Sequence, residues 1–75
     1  MSTHSATVTA PGGRSLPAPA DMPAHGRLVS VSWEPFPGHP MRYAGHGFWW
    51  TRSGAHLVLD HTFDPDTAVT VTWED

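Results

Sequence analysis

Seventy-five residues with eight prolines, seven glycines and no cysteine allow one small domain. They exclude a disulfide framework and cysteine-based zinc sites, and so much Pro and Gly argues against a helical bundle, because Pro costs a helix interior about 3 kcal/mol. The net charge is −3, and the four cations, Arg14, Arg27, Arg42 and Arg52, are too scattered to form the basic patch that phosphate backbones require, so no nucleic-acid partner is expected.

Residues 1–26 are dominated by Ser, Thr, Ala, Pro and Gly, with Met1, Val8, Leu16 and Met22 as the only sizeable apolar side chains. Ordering a backbone costs about 1–2 kcal/mol per residue. This segment carries little apolar surface to offset that, so the reading is a flexible arm over 1–26 and a β domain over 27–75. Deleting residues 1–20 should then leave the sheet folded. The rival reading is an arm that orders against a partner, with ATVTA adding one edge strand to a sheet. MSTHSATVTA has neither a charged n-region nor an apolar h-region, so no secretory signal is expected.

From Arg27 the pattern changes. RLVSVSWE places Val29, Val31 and Trp33 on one face and Ser30, Ser32 and Glu34 on the other. Alternation with period two in a β-branched run predicts a half-buried strand. TAVTVTWE repeats the pattern with Val69, Val71 and Trp73. The shared V-[ST]-V-[ST]-W-E motif predicts two strands in similar settings, each with one dry face. Between them, PFPGHPMRYAG reads as a rigid loop because Pro35, Pro37 and Pro40 interrupt regular structure. Asp64-Pro65-Asp66 predicts a turn with Pro at its second position. The expected strands lie near 28–34, 46–52, 56–63 and 68–74. Together they make an all-β domain, a small antiparallel four-stranded meander that could curl toward a barrel, preceded by a disordered or extended N-terminal arm.

HGFWWTRSGAHLVLDH, residues 46–61, reads as a hairpin. A two-residue loop at Ser53-Gly54 would set Trp50 opposite Leu57, Phe48 opposite Leu59 and His46 opposite His61. A three-residue loop would set Trp49 opposite Leu57 and His46 opposite Asp60. The first register pairs large apolar groups better and is preferred. It also brings His46 and His61 within reach of one divalent metal, but a zinc site needs a third protein ligand, from His39, His25 or an acid of the DPD turn. No established ligand spacing supplies one, so no cofactor is expected, with a metal at His46, His61 and His39 as the alternative.

No nucleophile elbow or P-loop occurs, and the sequence leaves open whether the protein is an enzyme. The aromatic excess carries the functional expectation. Trp49 and Trp50 are adjacent, so a regular strand points them to opposite faces. One joins the core, and the other stays out unless the PFPGHP loop covers it. Trp and Tyr anchor protein interfaces. The leading reading is therefore a non-catalytic protein-binding or accessory protein, self-associating or binding a protein partner through Phe48, Trp49, Trp50 and Tyr43. The alternative is a small β-sheet enzyme or ligand- or metal-binding protein using the His46/His61 pair. No apolar run reaches the ~18 residues of a membrane helix, so a cytoplasmic protein without a membrane partner is expected.

Overall fold

The computed structural model describes residues 2–44 and 49–75. Every regular element among them is a strand: β1 (Thr3–Ala10), β2 (Gly13–Pro17), β3 (Arg27–Phe36), β4 (His39–Ala44), β5 (Trp50–Ser53), β6 (His56–Phe63) and β7 (Thr67–Glu74). They form two antiparallel sheets, one of four strands in the order β1-β7-β3-β4 and one of three in the order β2-β6-β5. The protein is thus all-β and antiparallel, without closing into a barrel. No helix among the described residues is long and apolar enough to cross a membrane.

The two motif strands, β3 and β7, are neighbours at the centre of the larger sheet, where Val31 opposes Val71 and Trp33 opposes Val69. Their alternation has a direct cause: one face of each packs on the smaller sheet. The alternation in β3 is broken once. Its register shifts between Leu28 and Ser30, and this bulge turns Leu28 inward to oppose Trp73. Leu28, Val31 and Trp33 are buried while Val29 is not, so the dry face predicted as Val29, Val31 and Trp33 exchanges its first member.

Within the segment read as an arm, Thr3–Ala10 and Gly13–Pro17 form the strands β1 and β2. β1 pairs along its whole length with β7, and the predicted edge strand ATVTA lies within it, added to this chain's own sheet. Outward hydroxyls support the pairing, Ser5 Oγ to Thr72 Oγ1 at 3.0 Å and Thr7 Oγ1 to Thr70 Oγ1 at 3.3 Å. The chain then crosses between sheets at Pro11-Gly12-Gly13, where Gly12 and Gly13 have φ of 109° and 86°. Two successive positive φ values are open to glycine at little steric cost. β2 pairs with β6 and delivers Leu16 opposite Leu57. Ala10, Leu16 and Met22 lie in the same core as Leu57, Leu59, Val69 and Val71, so the core runs across the boundary expected at Gly26.

Three turns fix the remaining order. Pro37-Gly38 closes β3 onto β4, with Phe36 opposite His39 and Gly38 at φ 81°. Pro then Gly in these positions is a type II turn, and the Glu34 carboxylate accepts the Gly38 N–H at 2.6 Å. The stretch expected as a loop is therefore a hairpin whose second strand is β4. At the other anticipated turn, Asp66 takes φ 65° after Pro65, and Thr67 Oγ1 donates to the Asp64 carbonyl at 2.7 Å. The β5–β6 turn falls one residue later than expected. Ser53 opposes His56, so the loop is Gly54-Ala55, with Gly54 at φ 60°. A left-handed glycine in the first loop position is the type II′ requirement. Trp50 accordingly opposes Leu59 rather than Leu57. A slip of two residues keeps every side chain on its face, so Trp50, Leu57 and Leu59 remain together on the core side.

Candidate functional site: an aromatic groove at the open end

The end of β3, the start of β4, the end of β6 and the start of β7 line one concavity. Trp33 stands at the centre, its ring 5.2 Å from Tyr43, 4.6 Å from His61 and 4.9 Å from Phe63, between centroids. Contacts to Tyr43 and Phe63 are edge-to-face, the geometry that sets ring hydrogens against the π cloud. Tyr43 Oη lies 3.2 Å from His61 Nδ1, a hydrogen bond that orients the imidazole. His61 continues the inward row of Leu57 and Leu59, while Asp60 points outward and pairs with Arg14 at 3.5 Å. Neighbouring strand residues face opposite ways, so His61 and Asp60 do not form an acid–base couple.

Above this cluster opens a groove of about 1100 Å³. Trp33, Phe36 and Met41 line one side, His61 and Phe63 the other. Its rim carries Glu34, Asp64 and Asp66, and no Arg or Lys among the described residues lines it. Phe36 and Met41 are 67% and 43% exposed, and two of the three exposed large apolar side chains among the described residues therefore belong to this groove. The third is Trp49, at 49%.

The residues singled out from the sequence are distributed unevenly. Trp50 packs half-buried against the core, and Trp49 stands exposed. Tyr43 is half-buried within the aromatic cluster. Phe48 and His46 lie outside the described residues, and with them the proposed His46/His61 pair. His39 lines the groove and sets its ring edge-on to Phe36. His25 is exposed in the loop before β3. Among the described residues no three His, Asp or Glu side chains converge as a metal would require.

Phe36 and Met41 lie in the stretch whose prolines predict a loop, so strand alternation does not single them out. The signal was present in part: Pro37-Gly38 is a turn dipeptide, and a large apolar residue beside each arm of a tight hairpin is poorly placed for burial. Compared with known proteins, the chain matches no protein family, no curated protein and no solved structure.

Proposed function

We propose that this protein is a small non-catalytic binding module whose groove at the β3–β4 end receives an extended segment of a partner protein. The observation carrying this reading is Phe36, 67% exposed at the lip of a concave, aromatic-lined groove. Singly exposed apolar residues are ordinary, but an exposed aromatic beside a cavity with a rigid aromatic floor is the arrangement of an anchor site. The floor is already organised by ring packing and the Tyr43–His61 hydrogen bond, so a guest need not order it. The hairpin carrying Phe36 is held by Pro37 and the Glu34 brace, which lowers the entropy lost on docking. Trp49, one of the aromatics expected from the sequence at an interface, is a second exposed anchor.

Selection from a displayed random-peptide library tests the reading. Wild type should enrich peptides that perturb the amide resonances of Trp33, Phe63 and Thr67, and the double variant Phe36→Ser, Met41→Ser should not. Both side chains are exposed, so the variant should melt as wild type does. Enriched peptides that map elsewhere, or that the double variant retains, would refute the groove. Sedimentation equilibrium without peptide supplies the other decision: a dimer lost in the double variant would make a second copy of this chain the occupant.

A further inference from the structure

Resting on the docking reading above, we infer that the segment received by the groove is cationic, entering with an Arg or Lys side chain. The apolar walls and the acidic rim belong to one concavity. Phe36 and Met41 present apolar surface, while Asp64 and Asp66 stand at the rim beside Phe63. Neither carboxylate forms an ion pair among the described residues, whereas Asp60, Glu74 and Asp75 each have a basic partner. Three of the four arginines are occupied elsewhere. Arg14 serves Asp60 and the Leu59 carbonyl, Arg27 serves Glu74, and Arg52 serves the Met22 and Pro23 carbonyls.

A purely apolar guest would leave the rim carboxylates to be partly desolvated with nothing in return. An acidic guest would add repulsion. Arg and Lys match both parts of the groove: an alkyl stem lies along apolar surface while the charged head reaches an anion. An Arg guanidinium also stacks on aromatic faces and meets a carboxylate through two parallel hydrogen bonds. The molecule's net charge of −3 favours such a partner's approach at a distance.

The test uses three synthetic peptides alternating leucine with arginine, with glutamine or with glutamate. Binding is measured on the full chain by calorimetry at low salt, with amide resonances locating the site. The arginine peptide should bind in the groove about tenfold more tightly than the glutamine peptide, an advantage shrinking as salt rises. The glutamate peptide should bind most weakly. Asp64→Asn with Asp66→Asn should erase the preference for arginine over glutamine. Asn suits the left-handed backbone at position 66, and equal thermal melting checks the fold. Equal affinity for the arginine and glutamine peptides, or a preference that survives the double Asn variant, overturns the cationic inference and leaves the docking reading standing. If all three peptides bind Phe36→Ser, Met41→Ser as they bind wild type, the docking reading falls with it. Failure of the arginine peptide to bind at all also overturns the inference, and the library selection then judges the groove independently.

Discussion

Gly12 and Gly38 both hold positive φ, yet their surroundings differ. A Cβ on Gly38 would enter open space, whereas one on Gly12 would meet Pro65 Cγ at 3.2 Å, with φ already at 109°. Gly38→Ala should therefore cost about 1–2 kcal/mol, the ordinary left-handed penalty. Gly12→Ala should cost more, about 2–4 kcal/mol, because steric crowding adds to a region closed to side chains. Chemical denaturation of the two variants side by side would show the difference, and equal losses would mean that the Gly12 corner relaxes. Trp73 poses a second contrast. Its side chain is buried at 2% exposure, and its indole N–H has no acceptor among the described residues. Trp73→Phe removes that orphaned donor and should stay within about 1.5 kcal/mol of wild type. Trp73→Ala should lose about 3–5 kcal/mol. At the chain ends, the side-chain hydrogen bond from His4, and then the Ser2 backbone N–H, hold the Asp75 carboxyl below the usual carboxylate range. A depressed folded value stabilises the fold above the unfolded pKa and is lost as pH falls through the folded one. Melting temperature should accordingly drop in acid a little less steeply in Asp75→Asn than in wild type, a small difference for so exposed a group.

Among the elements, the short strand β5 depends on more than its ladder with β6. Arg52 Nη1 donates to the Met22 and Pro23 carbonyls at 3.1 and 2.9 Å, and its Nε donates to the Gly54 carbonyl at 2.9 Å. One side chain thus ties the β5–β6 turn to the Pro-rich segment between β2 and β3. Three carbonyls lose a charged donor in Arg52→Met, a change that keeps the apolar stem. Hydrogen bonds to charged groups contribute about 1.5–3 kcal/mol in net terms. The expected loss lies near the lower end, about 1.5 kcal/mol, since Arg52 is only half-buried. Amide exchange should quicken first at Gly26, whose N–H bonds to the Pro23 carbonyl at 2.9 Å. Unchanged exchange there would show that the loop holds its own shape.

For the molecule as a whole, the decisive question is what the first twenty residues contribute. They supply both strands that link the sheets along one side, along with Ala10 and Leu16, each fully buried. Without them β7 and β6 become edge strands, Leu57 loses Leu16 from across its strand and Val71 loses Ala6. A domain of this size has little reserve, since small cores bury too small a share of their surface. Deleting residues 1–20 should therefore abolish the cooperative thermal transition, the opposite of what the composition of the segment alone suggests. A truncated chain that still melts cooperatively would show that residues 27–75 carry a sufficient core.

Local pattern determined the all-β class, because alternation in β3, β6 and β7 needs only one dry face and one wet face to be legible. It also determined the Asp64-Pro65-Asp66 turn, whose dihedral demands fall on the Pro65-Asp66 pair itself. Three features were decided by tertiary structure. β1 has almost no hydrophobic signal, and its order comes from backbone pairing with β7, some sixty residues away. The exchange of Val29 for Leu28 depends on a bulge, which a partner strand's register imposes and the β3 sequence does not encode by itself. The groove draws on the ends of β3 and β6 and on two separate turns. Its residues are scattered from Trp33 to Ala68, and their types are ordinary until the fold brings them together. Composition could weigh the tryptophans, but only packing could decide that Trp33 floors a groove, Trp50 and Trp73 join the core, and Trp49 stays in solvent.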